Sequence, residues 1–112
     1  MARANGNYYI INYGMKGCST CIKAENQVFS KQEYQNWAYE NGIATVYADY
    51  LKGSQEPAKT IIRLIHDLYN GVNWPFIMKM QPDSNVPVCH FVYRTDPYTL
   101  TPAGFTSAYN SC

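Results

Sequence analysis

The sequence predicts an α/β fold: a central mixed sheet of four strands, in the order β-α-β-α-β-β-α, with helices on both faces. Three observations predict it. Short apolar or β-branched runs alternate with longer stretches whose apolar residues recur every three to four positions. Gly, Pro and Asn punctuate the joins between them. The 112 residues, 46% hydrophobic and 15% charged, suffice for one domain with a real core but not for two.

Residues 8–13 (Tyr-Tyr-Ile-Ile-Asn-Tyr) are β-prone and nearly continuously apolar, as in a buried central strand. Gly14 and Gly17 bracket the loop that follows. From Ser19 the pattern is helical: Ile22, Val28 and Phe29 can share a face, with Lys23, Glu25 and Gln27 outside. Ser30 and Glu33 have the spacing of a capping box, which restarts a helix. Tyr34, Trp37 and Ala38 follow at helical spacing, and Asn41-Gly42 supplies a stop. A long helix broken or bent near Ser30 is therefore expected.

Residues 43–50 read as the second strand, and Lys52-Gly53-Ser54 as a turn. Pro57 suits the first turn of the next helix, whose broad apolar face holds Ile61, Ile62, Leu64, Ile65, Leu68 and Tyr69. Asn70-Gly71 ends it. Trp74-Pro75 leads into a third strand at 76–80. Turn residues 81–85 then separate it from a fourth at 88–93, its hairpin partner. Thr101 reads as an N-cap with Pro102 at the first helical position, opening a short helix that carries Phe105, Ala108 and Tyr109. The strand-helix-strand start implies parallel pairing through a right-handed crossover.

A formal net charge of +1, with no basic stripe or acidic tail, argues against nucleic acid or an anionic membrane as partner. No apolar run reaches the length of a membrane span. Residues 1–7 lack the apolar core of a secretory signal. The expected compartment is therefore the cytoplasm, or an extracytoplasmic one if a leader or anchor has been trimmed. Tyrosine is abundant, with eleven residues, which suits cores and contact surfaces alike.

The four cysteines are Cys18, Cys21, Cys89 and Cys112. The first two form Cys18-Ser19-Thr20-Cys21 directly after an apolar strand and at the opening of a helix. Disulfide exchange needs a thiolate to attack and a second thiol close enough to resolve the mixed disulfide. Residues three apart on a helix are neighbours, and a helix N-terminus stabilises a thiolate through unpaired N–H groups and the positive end of the dipole. Cys18, at the junction, is read as the nucleophile. Cys21, one turn inside, is read as the resolving thiol. The remaining two are expected to be incidental: Cys89 a buried small hydrophobe, Cys112 an exposed terminal thiol prone to intermolecular disulfides.

Two other readings stand beside this one. The pair could rest as an idle disulfide in a non-enzymatic binding or assembly module. It could also bind zinc with Cys89 and His90, although adjacent strand residues point to opposite faces. His66, beside Asp67 in the apolar helix, is read as a helix-surface or boundary residue, and His90 likewise.

These residues together resemble the thioredoxin-like superfamily. The resemblance rests on the first strand leading into Cys18-Ser19-Thr20-Cys21, the second strand, the helix ending before Trp74-Pro75-Phe76, and the closing hairpin and helix. With Val28-Phe29-Ser30 after the motif, the chain is similar to the branch that includes bacterial thiol-disulfide interchange domains. The resemblance implies a thiol-disulfide oxidoreductase in cell redox homeostasis, without a cofactor. It also implies cysteine-containing protein substrates, a reductase or oxidase as redox partner, and a monomer. It implies that Pro75 is a cis-proline beside the sulfurs and that the backbone of Trp74 pairs with an extended substrate. Ser19 and Thr20 form the dipeptide between the cysteines, where thioredoxins have Gly-Pro. Gly17 replaces a frequent Trp, and Asn12 a frequent buried Asp. These departures argue against a standard thioredoxin reductase as partner. Asn73-Trp74 in place of Thr-Val, and the lack of a following Gly-Gly pair, argue against a glutaredoxin.

Overall fold

The computed structural model describes residues 8–92 and 101–112. Four strands, β1 (Tyr9–Gly14), β2 (Ala44–Asp49), β3 (Phe76–Met80) and β4 (Pro87–Val92), form one sheet in the order β2-β1-β3-β4. The β1–β2 pair is parallel, while β1–β3 and β3–β4 are antiparallel. Tyr93, expected in the fourth strand, lies outside the described residues. Among the described residues, four α-helices accompany the sheet: α1 (Ser19–Ala24), α2 (Gln32–Glu40), α3 (Ala58–Leu68) and α4 (Pro102–Ser111).

Alternation along the central strands divides the core in two. Tyr9, Ile11 and Tyr13 of β1, with Phe76, Met78 and Met80 of β3, pack against Ala58, Ile61 and Ile65 of α3. Ile10 and Ile77 face the other way, against Ala24, Val28, Phe29, Tyr34, Phe105 and Tyr109 from the remaining helices. The exposed face of α3 carries His66. The Tyr34 hydroxyl lies 2.6 Å from the Thr45 hydroxyl, tying α2 to β2.

Two local expectations are corrected. Ser30 and Glu33 form no capping box, because Ser30 instead closes the preceding turn. Residues Glu25–Phe29 form a π-helical turn, and the Ser30 N–H reaches back five residues to the Glu25 carbonyl at 2.8 Å. The N-cap of α2 is Lys31, without a side-chain cap. The wider turn lets consecutive Val28 and Phe29 both enter the core. Pro57 stands at the N-cap of α3 rather than inside its first turn.

Other signals hold. Gly42 at φ +64° follows α2, with Ile43 N–H bonded to the Ala38 carbonyl and Gly42 N–H to that of Tyr39, a Schellman ending. Thr101 caps α4 by accepting from the Gly104 N–H at 3.0 Å, with Pro102 opening the helix.

The third correction concerns the distal cysteines. Cys89 and Cys112 are joined in a disulfide, so neither is an incidental thiol. The cause is tertiary: α4 lies across the sheet face that Cys89 approaches, and its end meets β4. Lys79, opposite Cys89 in the β3–β4 register, secures the same corner. Its buried ammonium donates to the carbonyls of Tyr109 (3.0 Å) and Cys112 (3.2 Å), which lack partners at a helix C-terminus. The Tyr109 ring lies 4.2 Å below that ammonium.

Candidate active site

At the C-terminal end of β1 the chain must turn sharply to start α1. Gly17 makes the turn at φ +89°, a backbone region that side-chain-bearing residues rarely adopt. That geometry explains why a large residue does not stand before the first cysteine here. The Cys18 N–H bonds to the Met15 carbonyl at 3.1 Å, closing the loop.

Cys18 is the N-cap of α1. Its sulfur accepts the Cys21 N–H at 3.2 Å, one of the donors a helix start leaves unpaired. The Thr20 hydroxyl lies 3.2 Å from the same sulfur. Burial pushes the Cys18 thiol up, but hydrogen bonds from the side chains and backbone of Cys21 and Thr20 outweigh it. The net effect holds Cys18 below the ordinary thiol value. Cys21 behaves oppositely. Burial, and then its hydrogen bond to Cys18, push it up to about 12. Both cysteines are free thiols.

Cys21 packs against the backbone of β1. A Cβ on Gly14 would sit 2.9 Å from the Cys21 sulfur, so this approach needs glycine. Beyond the sulfur opens a cleft of about 450 Å³, lined by Cys21, Asn12, Glu25, Tyr47, Asp49 and Lys16 among others. Glu25 follows Cys21 by one helical turn and shares its face. Burial raises the Glu25 carboxyl, partly offset by the hydrogen bond from Tyr47. Burial, then the Glu25 charge, push Tyr47 up to about 12.

The second strand of the site enters from β3. Trp74-Pro75 precedes it, and register places its first residue, Phe76, beside Tyr13 near the end of β1. The Trp74–Pro75 peptide is cis, as is Glu56–Pro57. The Thr20 hydroxyl donates to the Trp74 carbonyl at 2.9 Å, joining the cysteine motif to this loop. The Trp74 ring packs edge-on to Tyr13 (6.2 Å between centroids) and tilted against Tyr50 (5.2 Å). Its buried indole N–H has no partner among the described residues.

The structure thus gathers Cys18, Thr20, Cys21, Trp74 and Pro75, with Ser19 exposed on the first turn. It does not bring Cys89 and His90 to them. Cys89 is bonded to Cys112, and His90 stacks on Phe76 from the other face of β4. Among the described residues no three His, Cys, Asp or Glu side chains gather as a metal site. Sequence reading missed Glu25 and Tyr47. The signals were present: Glu25 is four residues beyond Cys21 on a helix, and Tyr47 is the parallel-strand neighbour of Asn12.

No protein-family model matches the chain, and no curated protein matches it in sequence. Solved structures do match in shape. A DsbH oxidoreductase superposes with a TM-score of 0.71 at 16% identity, covering 98% of this chain and 74% of its own. A thioredoxin from Thermus thermophilus gives 0.64 at 13% identity, covering 98% and 76%. The fold is thioredoxin-like.

Proposed function

We propose that this chain is a thiol-disulfide oxidoreductase acting on cysteine-containing proteins through Cys18 and Cys21. The observation that carries the reading is the unequal environment of the two sulfurs. Cys18, half-exposed at a helix start, is held toward its thiolate, while Cys21 behind it is held protonated. An attacking group and a reserve group need this division.

The Cys18 thiolate attacks a substrate disulfide, forming the mixed disulfide and releasing one substrate thiolate. Cys21 then attacks the Cys18 sulfur, closing the Cys18–Cys21 disulfide and releasing the second substrate thiolate. Two electrons pass from protein to substrate, and the reverse sequence oxidises a dithiol. The Cys21 proton needs an acceptor, because a thiol pushed so high does not ionise alone near neutrality. Glu25 is assigned that role: it shares the cleft, and burial moves its carboxyl toward the working range of a base. Asn12, on the cleft wall, has no basic group to offer. Trp74, beside Pro75, presents backbone to an extended substrate.

Insulin reduction by dithiothreitol tests the reading. Wild type accelerates precipitation and Cys18→Ser does not; equal behaviour of the two removes the enzyme assignment. Cys21→Ser should trap substrate on Cys18 as a mixed disulfide. An oxidising compartment is the proposed workplace, a reading that the Cys89–Cys112 disulfide supports. Acid trapping of thiols in the source cells, followed by mass analysis, tests it: a reduced Cys89–Cys112 pair would overturn it.

A further inference from the structure

The Thr20 hydroxyl carries one proton and has two acceptors within reach. It donates to the Trp74 carbonyl at 2.9 Å, and the Cys18 sulfur lies 3.2 Å from the same oxygen. A hydroxyl has one hydrogen, so while Thr20 donates to Trp74 the Cys18 contact can only run from S–H to Oγ1. With the hydroxyl turned to Trp74 the chain runs S–H to O–H to C=O, which requires Cys18 to be a thiol. A thiolate has no hydrogen to give, and a charged acceptor draws a donor more strongly than a neutral carbonyl.

We propose that Thr20 is a two-position proton switch that couples the charge on Cys18 to the acceptor strength of the Trp74 carbonyl. When the Cys18 proton leaves to solvent, the hydroxyl turns from Trp74 to the sulfur. The Trp74 carbonyl then has both lone pairs for an incoming backbone N–H. Linkage makes the effect reciprocal. A chain that donates to Trp74 weakens the Thr20–Trp74 bond, releases the hydroxyl toward sulfur and raises the thiolate fraction before the sulfurs meet. The charge arises as substrate docks beside it. Among the described residues, the titratable groups that adjoin this point are Cys21, whose N–H donates to the Cys18 sulfur, and Tyr13 and Tyr50, whose rings pack edge-on and tilted against Trp74.

The inference rests on the reading of Cys18 as nucleophile and Trp74 as substrate contact, and its test is separate from theirs. Reduced protein labelled with carbonyl-¹³C tryptophan and ¹⁵N proline identifies the Trp74 carbonyl through its bond to Pro75. Across a pH titration that resonance should move with the same midpoint as the 240 nm thiolate absorbance of Cys18. It should stay fixed in Cys18→Ser. Thr20→Val, close in shape but without the hydroxyl, should show no coupled movement and about tenfold less thiolate at a given pH, read as iodoacetamide rate. Thr20→Ser should restore both. A Trp74 carbonyl that ignores Cys18 ionisation in wild type overturns the switch while leaving insulin reduction intact. Loss of the enzyme reading appears instead as wild type and Cys18→Ser reducing insulin alike.

Discussion

Replacing Cys89 and Cys112 together by alanine removes a cross-link between an edge strand and the end of α4. The two residues are separated by 23 positions in sequence. On the chain-entropy model, a closed loop of that size withholds about 11 cal/mol/K from the unfolded ensemble, or about 3.4 kcal/mol at 25 °C. A domain of this size has about 5–15 kcal/mol in total, so the variant should lose between a quarter and two thirds of it. The folded state should change little, because Lys79 still holds the Tyr109 and Cys112 carbonyls. The measurement is urea unfolding followed by tryptophan fluorescence. Both proteins should carry Cys18→Ser and Cys21→Ser, so that the redox pair cannot exchange with the link. The midpoint should fall and the slope should rise, since an uncross-linked unfolded chain exposes more surface. A loss below about 1 kcal/mol with unchanged slope would refute the reasoning, because the entropic contribution of the loop would then be missing.

The other expectations concern the site. Iodoacetamide at pH 7 should label Cys18 and spare Cys21, with mass spectrometry locating the adduct. Cys18 is held below the ordinary thiol value, so its thiolate appears at lower pH than in a free cysteine, whereas Cys21 should resist until the pH nears 12. Labelling of both at equal rates would contradict this assignment. Glu25→Gln should slow resolution of the mixed disulfide about a hundredfold while leaving the first attack unchanged, read by quenched-flow trapping of the Cys18 adduct. Equal slowing of both steps would point to a structural effect. Gly14→Ala places a Cβ 2.9 Å from the Cys21 sulfur; it should cost about 1–3 kcal/mol in urea unfolding and slow resolution more than attack. An unperturbed resolution rate would show that the sulfur has room to move.

Much of the fold was legible because its signals are local. The nearly continuous apolar run at residues 8–13 reads as a buried central strand, and β1 (Tyr9–Gly14) lies inside the sheet between β2 and β3. The position of Cys18 followed from a strand ending and a helix beginning within a few residues. What escaped depends on tertiary context. Ser30 and Glu33 have capping-box spacing, but the demand to bury both Val28 and Phe29 turned Ser30 to closing a π turn. The partner of Cys89 could not be read from spacing, because pairing across 23 residues is decided by where α4 packs. Glu25 looked like solvent-facing charge because the cleft beside it exists only once α1 lies over β1 and β2.

Trp74-Pro75 stands before Phe76 at one end of β3, and Cys89 lies opposite Lys79 near the other. The two cysteine pairs therefore occupy opposite ends of one sheet, and Cys18 cannot attack the distal disulfide without unfolding its own scaffold. Scrambling within the molecule is closed by geometry. A redox titration should accordingly resolve two independent two-electron Nernst waves, each with about 30 mV per decade. Only the one belonging to Cys18 and Cys21 should move when Thr20 is replaced.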